Sequence, residues 1–436
     1  MLPNMADTPE LLDLAGIGAG PFNLSIAALA ADRLPTLSTR FFDRQQRYAW
    51  HEGMMLPDTH LQTGFLKDLV TGIDPTSRWS FLNYLVQHRR FYRFLNAELS
   101  TVSRAEFSDY LRWAAEGLDN VWLNHSVREI DHDGEHFCLR TDTRTFRARH
   151  LCLGSGKTPW LPTFACEYQG ERCLHAESIA WHARDFTNQR VVIVGGGQSG
   201  ADIFINALRG HWGPPKSLHW LSRRRNFQPL DETAFTNEYF TPGYTSQFAE
   251  LDERVRHREV SAQKYASDGI TPAALTEIYQ TLYHRFDVMN EPRWAHLLPH
   301  REAVNMTRTG DAFVLEARHG TTDLLERFDA DVVIFATGFE SRLPECMAPL
   351  ADRISRDEQG APSVGRHFLL DWQGDGDSRI YAVNAGRTRY GIAEPQLSLM
   401  AWRSAVILNH LSGQAHFDLD DDPGPVTWSP QGRESS

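Results

Sequence analysis

Two glycine-rich turns, each following a short apolar run, have the residue types and spacing of a nucleotide-binding turn. The first is Leu14-Ala15-Gly16-Ile17-Gly18-Ala19-Gly20-Pro21, and the second is Val191-Val192-Ile193-Val194-Gly195-Gly196-Gly197-Gln198-Ser199-Gly200. A strand that runs into Gly-x-Gly and then into a helix lets the backbone approach a pyrophosphate, whose negative charge lies at the positive helix N-terminus. One such turn also fits a plain tight connection between strand and helix. Two turns in one chain predict two bound dinucleotides.

The residues expected to bind the adenosine ribose, or its 2′-phosphate, differ between the two units. Asp43 ends the second predicted strand, 27 residues after Gly16, where a carboxylate accepts hydrogen bonds from an adenosine ribose. The corresponding strand of the second unit, 218–222, ends in Arg223-Arg224-Arg225. An arginine fork pairs with a 2′-phosphate, although a solvated basic strand end would have the same sequence. The pattern predicts a flavin dinucleotide in the first unit and NADPH in the second.

The elements around these turns predict an α/β fold with two Rossmann-like domains, one for FAD and one for NADPH. The first strand leads into a helix from Phe22 to Ala31, and Pro21 is tolerated at its first turn because the missing N–H would be unpaired there. Short alternating strands over 121–153 stop at Gly154-Ser155-Gly156, and a strand over 330–335 stops at Ala336-Thr337-Gly338. Small residues after a buried strand mark the two crossings between the domains.

These crossings divide the chain into predicted regions. We expect the first part of the FAD-binding domain at 1–178 and the NADPH-binding domain at 179–335, with a helical insertion over about 228–300 that contributes to a substrate site. Residues 336–417 return to the FAD domain and the substrate site, and they include a helix from about Pro395 to His410. The acidic, proline-containing tail 418–436 is expected to be disordered.

Composition narrows the class of protein and its partners. The 436 residues predict two or three domains, and 41% hydrophobic with 23% charged residues is typical of a globular protein. The net charge of −12 and the absence of a long basic run argue against nucleic acid as a partner. No apolar run approaches the roughly 18 residues of a membrane-spanning helix, and Asp7, Glu10 and Asp13 argue against a secretory signal. We therefore expect a cytoplasmic protein.

The cysteines indicate neither a disulfide framework nor a metal site. Five are scattered along the chain, an odd number without CxxC spacing: Cys138, Cys152, Cys166, Cys173 and Cys346. This pattern predicts buried, reduced thiols in a reducing compartment.

Several further motifs follow one another in a fixed order. They are Gly-Pro-Phe-Asn-Leu-Ser at 20–25, Trp50-His51, Gln62, Phe65-Leu66-Lys67-Asp68-Leu69, Gly-Gly-Gly-Gln-Ser-Gly at 195–200, Asn237-Glu238, Ser267-Asp268-Gly269-Ile270-Thr271, Ala336-Thr337-Gly338 and Ala393-Glu394-Pro395-Gln396-Leu397-Ser398-Leu399-Met400-Ala401-Trp402-Arg403. With them the chain, from Asp13 to about Leu411, resembles the flavin-dependent N-hydroxylating monooxygenases, the lysine N6-/ornithine N5-monooxygenase family. The resemblance is greatest to the aerobactin-type lysine branch of siderophore biosynthesis.

The resemblance implies the following roles for residues of this chain. FAD contacts are implied for Gly16, Gly18, Gly20, Pro21, Asp43, Trp50, His51, Gln62, Val127, Pro395, Gln396 and Leu397. NADPH contacts are implied for Gly196, Gly197, Gln198, Ser199 and Arg223, and substrate contacts for Lys67, Asn237 and Ser398. Pro395, Gln396 and Leu397 would lie at a helix N-terminus over the flavin pyrimidine. No protein side chain is implied as catalytic, because the flavin carries the chemistry.

Some of these residues also have structural interpretations, and one segment departs from the family pattern. Lys67 also fits a surface lysine, Asn237 a turn cap, and His51 an aromatic residue packed beside Trp50 rather than an acid or base. Thr388-Arg389-Tyr390-Gly391 stands where relatives often have Thr-His-Gly, so Arg389 would alter the rim of the substrate site.

The implied activity is NADPH- and O2-dependent N-hydroxylation of the terminal amine of L-lysine through a flavin C4a-hydroperoxide, giving N6-hydroxylysine for a hydroxamate siderophore. Cadaverine or putrescine remains an alternative substrate. A disulfide reductase would need a redox cysteine pair, and the five cysteines do not have that spacing. A flavin-binding protein that turns over no substrate also remains an alternative. The implied partners are the amine substrate and O2. We also expect a homo-oligomer and no bound metal.

Overall fold

The fold is described from a computed structural model, which describes residues 10–181, 184–358, 360–374, 376–420 and 424–428. Its strands are β1 Leu11–Ile17, β2 Thr39–Phe42, β3 Val121–Trp122, β4 Val127–His132, β5 Phe137–Thr141, β6 Thr145–Leu153, β7 Thr158–Pro159, β8 Cys173–His175, β9 Arg190–Val194, β10 Ser217–Ser222, β11 Ala295–Pro299, β12 Arg301–Thr309, β13 Ala312–His319, β14 Leu325–Ala330, β15 Val332–Phe335, β16 Phe339–Glu340 and β17 Arg379–Ala382. Its α-helices are α1 Pro21–Arg33, α2 Phe81–Gln87, α3 Phe91–Asn96, α4 Arg104–Gly117, α5 Thr163–Cys166, α6 Gln198–Leu208, α7 Ala234–Asn237, α8 Pro242–Ala249, α9 Glu253–Ala262, α10 Lys264–Ser267, α11 Pro272–Tyr283, α12 Arg387–Tyr390 and α13 Met400–Ser412.

Two largely parallel sheets, each with its own glycine-rich turn, organise the chain. The first has the order β3-β2-β1-β6-β5-β4, and β17 pairs with the second half of β6. The second has the order β11-β10-β9-β15-β8, with every pair parallel. In each sheet the strand before the glycine-rich turn is central, and both its faces are covered. This arrangement confirms the predicted α/β class with two Rossmann-like units.

Smaller sheets and helices complete these units. Strands β12 to β14 form an antiparallel sheet, and β7 pairs with β16 where the chain crosses between the large sheets. Strand β8 already belongs to the second sheet, so the chain enters that sheet before residue 179. Helices α7 to α11, followed by a π-helix at His284–Val288, fall within the predicted insertion. None of the helices among the described residues has both the length and the apolar character needed to cross a bilayer.

The sequence prediction of one strand over 330–335 is wrong. Two strands, β14 and β15, lie in different sheets and are separated by Asp331. The Asp331 carboxylate accepts hydrogen bonds from the Arg190 backbone N–H at 2.8 Å and from Arg190 Nη2 at 2.7 Å. These contacts fix the chain at the start of β9, so the apolar run after Asp331 joins the second sheet while the residues before it stay in the antiparallel sheet.

The C-terminal tail falls partly within the described residues. Residues 421–423 and 429–436 of the segment predicted to be disordered lie outside them. Within 424–428, the Trp428 ring lies 5.3 Å from the Tyr239 ring and 4.7 Å from the Tyr244 ring, measured between centroids. This part of the tail therefore packs against the helical insertion.

Candidate functional site

One large cavity extends between the two glycine-rich units and the helical insertion. Its volume is about 1310 Å³, above the range of about 300–1,000 Å³ usual for the site of a single small molecule. Most of the residues singled out from the sequence line it: Gly18, Gly20, Pro21, Asp43, Trp50, His51, Gln62, Lys67, Val127, Gln198, Ser199, Asn237, Pro395, Gln396, Leu397 and Ser398. Gly16, Gly196, Gly197 and Arg223 do not line this cavity.

The first glycine-rich turn is held at the cavity by close packing against the end of β6. Gly18 has φ +84°, and a Cβ there would meet the Gly154 carbonyl oxygen at 2.7 Å, so the turn requires glycine. Gly20 caps α1 without a side-chain hydrogen bond, and Pro21 begins the helix. The first backbone N–H groups of α1 are thus left for a ligand. Gly16 instead makes room for the Phe41 ring, so its role in the structure is packing.

Asn23, which the sequence analysis did not single out for a role, fixes this turn. Its Nδ2 donates to the Gly18 carbonyl oxygen at 2.7 Å, and its Oδ1 accepts from Cys152 Sγ at 3.2 Å. The side chain is fully buried. An asparagine two positions after the proline that begins the helix was the available sequence signal.

Asp43 lies beside the turn, as the sequence predicted. Its Oδ2 accepts from the Ala19 backbone N–H at 2.8 Å, and its Oδ1 accepts from the Gln45 backbone N–H at 2.9 Å. A carboxylate oxygen has more than one acceptor direction, so Asp43 can still accept from a ribose hydroxyl in the cavity.

Two buried polar atoms along this wall test whether a flavin dinucleotide fits. The Tyr48 hydroxyl and Asn384 Oδ1 belong to cavity-lining residues, are buried, and have no hydrogen-bond partner among the described residues. A buried polar atom without a partner costs free energy. Ribose, phosphate and isoalloxazine groups carry many donors and acceptors. Together with the free N–H groups of α1, these residues fit FAD.

Trp50 and His51 form a packed aromatic corner of the cavity. Their ring centroids are 5.1 Å apart, and the Arg104 guanidinium lies 5.5 Å from the Trp50 ring centroid. Burial, together with the Arg104 charge, lowers the pKa of His51 to about 4. His51 is therefore neutral at neutral pH, in agreement with its interpretation as a packing residue. Arg104 also lines the cavity and was not predicted.

Gln62 connects the first unit to the second. Its Nε2 donates to Gln198 Oε1 at 3.3 Å, and the same oxygen accepts from the Thr271 backbone N–H at 2.8 Å. Gln198 Nε2 donates to Asp202 Oδ1 at 2.7 Å. Burial raises the pKa of Asp202. Asp202 was not predicted, because it has no motif signal beyond its place one turn after Gln198.

The glycines of the second glycine-rich turn have the expected backbone but do not line the cavity, whereas Gln198 and Ser199 of the same turn do. Gly195 has φ +131°, and a Cβ there would collide with the Ala336 carbonyl oxygen. Gly197 caps α6 without a side-chain bond. Arg223 is exposed, whereas Arg224 lies over the Tyr265 ring at 5.5 Å and donates to the Asp268 carbonyl oxygen at 2.8 Å. Arg223 and Arg225 are therefore the exposed arginines at this strand end, whereas Arg224 is already engaged.

Lys67, Asn237 and Ser398 come from three distant parts of the chain and line the same cavity. Burial lowers the pKa of Lys67, which is half-buried. Its neighbour Asp68 accepts from the Val70, Thr71 and Phe81 backbone N–H groups and from the Thr71 hydroxyl, which fixes this loop.

The insertion and the C-terminal segment bring the other two residues to the cavity that Lys67 lines. Asn237 ends α7, whose first turn is capped by the Thr233 hydroxyl. Ser398 Oγ lies 3.5 Å from Thr63 Oγ1. A cation, an amide and a hydroxyl together can bind a carboxylate.

The predicted helix start at Pro395 is wrong. Helix α13 begins at Met400, after a 3₁₀ turn at Leu397–Leu399 that Gln396 caps. Leu399 has φ −115° and ψ 21°, which interrupts the helix. Pro395, Gln396 and Leu397 still face the cavity, but from a turn preceding the helix rather than from its first residues.

Arg389, Lys157 and the cysteines were predicted incompletely or not at all. Arg389 does not line the cavity, and its Nη2 lies 3.7 Å from Glu250 Oε1 on the insertion. Lys157 lines the cavity just after the crossing from β6. All five cysteines are free. The prediction that they are buried is wrong for Cys166, which is exposed, and for Cys138, which is half-buried.

Comparison with known proteins identifies the family of this chain. The family model described as L-lysine 6-monooxygenase/L-ornithine 5-monooxygenase matches residues 10–341. The chain is 47% identical to L-lysine N6-monooxygenase of Escherichia coli over 419 residues, which cover 96% of this chain and 98% of that protein.

Two solved structures share the whole architecture. One is the FAD-bound cadaverine monooxygenase of the desferrioxamine pathway from Erwinia amylovora, with TM-score 0.90 and 28% identity over 98% of this chain and 100% of that one. The other is the ornithine N-hydroxylase of Kutzneria sp. 744 with reduced FAD, NADP+ and L-ornithine, with TM-score 0.84 and 26% identity over 93% and 99% of the chains. The chain belongs to the L-lysine 6-monooxygenase/L-ornithine 5-monooxygenase family.

Proposed function

We propose that this enzyme hydroxylates the terminal amine of L-lysine with NADPH and O2, giving N6-hydroxylysine for a hydroxamate siderophore. The observation that carries the choice of substrate is the convergence of Lys67, Asn237 and Ser398 on the cavity that also contains the first glycine-rich turn. The 47% identity to the lysine enzyme of Escherichia coli supports it.

The enzyme is an FAD-dependent monooxygenase that takes its electrons from NADPH. FAD bound in this cavity would supply the redox chemistry, namely acceptance of a hydride from NADPH and activation of O2 for transfer of one oxygen atom to an amine nitrogen. We propose that Gly18, Gly20, Pro21, Asp43, Trp50, His51, Gln62, Val127, Pro395, Gln396 and Leu397 line the FAD, and that Gly16 shapes its turn. Gly196, Gly197, Gln198, Ser199 and Arg223 would hold NADPH. In this division, the first sheet with the returning C-terminal segment is the FAD domain, and the second sheet is the NADPH domain.

The residues of the chain have three tasks in this reaction. Lys67 and Asn237 hold the α-carboxylate of lysine, so that its long side chain extends along the cavity. The charge-assisted contact is worth about 1.5–3 kcal/mol. The attacking amine must be neutral, although a free lysine side chain titrates near ~10.4. Desolvation in the cavity favours its neutral form, and enclosure by both units keeps water from the reacting atoms.

A diamine is the second candidate substrate, because a cadaverine monooxygenase shares the fold over 98% of this chain. The carboxylates of Asp231 and Glu232 also line the cavity, and either would attract a second ammonium group. Lys67 would repel that group, however, since it has no acidic partner among the ion pairs of the described residues. We therefore place lysine first.

The test is a substrate panel. The FAD-loaded enzyme is incubated with NADPH and L-lysine, L-ornithine, cadaverine or putrescine, and hydroxylamine products and NADPH consumption are measured. We expect lysine to have the highest kcat/KM and to give one hydroxylamine per NADPH. Faster turnover of cadaverine would overturn the lysine assignment. NADPH oxidation that no amine stimulates would indicate a flavoprotein without this activity or a reductase.

We also propose a homo-oligomer that works in a reducing, cytoplasmic compartment. Tyr279 and Tyr283, one turn apart on α11, and Val288 and Met289 at the end of the π-helix are exposed apolar side chains, and exposed apolar surface favours association. The five free thiols support a reducing compartment. Light scattering of the FAD-loaded enzyme and of Tyr283→Ser tests the association, and a monomeric unmodified enzyme would exclude it.

A further inference from the structure

A fully buried ion pair lies directly behind the cavity wall formed by residues 395–398. The Glu394 side chain is 0% exposed and the Arg403 side chain 2% exposed, with Arg403 Nη1 3.8 Å from Glu394 Oε1. Arg403 Nη2 also donates to the Glu394 backbone carbonyl oxygen. Glu394 precedes Pro395, and Arg403 lies in the first turn of α13. Neither residue lines the cavity, whereas Pro395 to Ser398 do.

This pair is costly for stability. Both carboxylate oxygens of Glu394, and Nε and Nη1 of Arg403, are buried without a hydrogen-bond partner among the described residues. Burial of two charges costs more than their attraction returns unless further hydrogen bonds satisfy them, and an apolar pair of similar volume is often as stable or more stable. A contribution to stability therefore does not explain this pair. Its role is instead to position the neighbouring 395–398 turn.

Arg403 connects two walls of the cavity. Its guanidinium lies 4.4 Å from the Phe22 ring centroid and 5.6 Å from the Phe368 ring centroid. Phe22 is the second residue of α1 and lines the cavity just after the first glycine-rich turn. The Arg403 guanidinium thus lies over the Phe22 ring at the start of α1 and donates to the backbone just before Pro395.

Glu394 also acts toward the cavity itself. Lys157 lines the cavity; burial lowers the pKa of Lys157, and the Glu394 carboxylate opposes that shift. The negative charge of Glu394 therefore acts both on the buried Arg403 and on a lysine of the cavity lining.

We propose that Glu394 and Arg403 are positioning residues that set the 395–398 turn, and with it Ser398, against the start of α1. They touch neither substrate nor cofactor; they act through Pro395, Gln396, Leu397 and Phe22. The inference rests on the proposed function, since the turn matters because it faces the FAD and the amine substrate.

The test compares Glu394→Gln and Arg403→Lys with Leu408→Ala. Glu394→Gln keeps the backbone acceptor but removes the charge, and Arg403→Lys keeps the charge but removes the planar fork. Leu408 is buried on the same helix and does not line the cavity, so its truncation controls for loss of stability. For each FAD-loaded enzyme, Tm, the visible absorption spectrum of the bound flavin, and KM and kcat for lysine and NADPH are measured.

We expect Glu394→Gln to raise the KM for lysine on the order of 10- to 100-fold, the cost of a small misplacement, and to shift the flavin spectrum. Arg403→Lys should show a smaller change in both. Leu408→Ala should lower Tm while leaving the spectrum and both KM values unchanged. The double variant Glu394→Gln/Arg403→Met removes both charges, so it should recover Tm but not the KM for lysine.

The inference is overturned if the Glu394 and Arg403 variants change the KM for lysine and the spectrum no more than Leu408→Ala at equal loss of Tm. Recovery of the KM for lysine in the double variant would overturn it as well. Should the double variant fail to fold, the two single variants decide. Failure of the proposed function has a different signature: the unmodified enzyme would form no hydroxylamine from lysine, while the flavin spectra of the variants would still report the position of the turn.

Discussion

Asn23 Nδ2 donates a hydrogen bond to the Gly18 carbonyl oxygen at 2.7 Å, which ties the first helix of the chain to the turn that precedes it. Asn23 Oδ1 also accepts from Cys152 Sγ at the end of β6. A single fully buried side chain therefore holds together the two strand ends between which the FAD pyrophosphate would lie.

Replacement of Asn23 by alanine should loosen this turn and release flavin. The Gly18 carbonyl oxygen would lose its buried donor, which costs about 1–3 kcal/mol. We expect a lower Tm and less FAD per protein after gel filtration. The matched control is Asn206→Ala, which removes a buried asparagine from α6 whose Nδ2 donates to the Asp202 carbonyl oxygen at 2.9 Å. Equal flavin loss in both variants would show that Asn23 contributes only general stability.

Arg223→Ala should erode the preference for NADPH over NADH. Arg223 directly follows β10 and is exposed, whereas Arg224 is engaged with Tyr265 and Asp268. Loss of a charge-assisted contact of about 1.5–3 kcal/mol raises the KM for NADPH roughly 10- to 100-fold, with little effect on NADH. Arg225→Ala, at the neighbouring exposed position, is the control. Equal use of both cofactors by the unmodified enzyme would refute the assignment of the 2′-phosphate site.

Lys67→Ala should raise the KM for lysine and leave the flavin in place. The variant removes the cation proposed to bind the α-carboxylate, so the increase should be on the order of 10- to 100-fold. The KM for cadaverine, which has no carboxylate, should not rise. Lys216→Ala, on an exposed surface, is the control. Loss of FAD from Lys67→Ala would instead make Lys67 a structural residue of the flavin site.

The pH profile should report the lowered pKa of Lys67. Activity rises with pH as the attacking amine loses its proton. The pKa of a free lysine side chain is ~10.4, so this rise occurs in the alkaline range. Burial lowers the pKa of Lys67, so Lys67 loses its charge at a lower pH than an ordinary lysine. The KM for lysine should therefore rise on the alkaline side. In Lys67→Arg this rise should disappear, because a guanidinium stays protonated. A rise that persists unchanged in Lys67→Arg would assign it to another group.

Trp428→Ala should weaken lysine binding from outside the cavity. Trp428 packs on Tyr239 and Tyr244, and Tyr239 lies two residues after Asn237. Loss of these aromatic contacts, worth about 0.5–1.5 kcal/mol each, lets the segment that carries Asn237 move. We expect the KM for lysine to rise several-fold and the KM for NADPH to stay constant. Tyr92→Ala, a highly exposed aromatic position on α3, controls for loss of a surface ring, and an unchanged KM in Trp428→Ala would exclude the effect.

The sequence by itself determined the two nucleotide-binding units and the family, and both predictions are confirmed. Glycine-rich turns, strand ends and the first helix are encoded within a few neighbouring residues, because positive φ at Gly18 and Gly195 and the proline at the start of α1 act locally. The roles assigned to individual FAD, NADPH and substrate residues remain predictions.

Only the tertiary structure decided which of these residues line the same cavity. Lys67, Asn237 and Ser398 share a cavity because two sheets and an insertion pack around it, and no local pattern specifies such packing. The strand over 330–335 was mispredicted because Arg190, far away in the sequence, binds Asp331. The late start of α13 and the burial of the Glu394–Arg403 pair likewise depend on tertiary packing. Apolar periodicity cannot show that a charged side chain is buried when its partner comes from another turn of the chain.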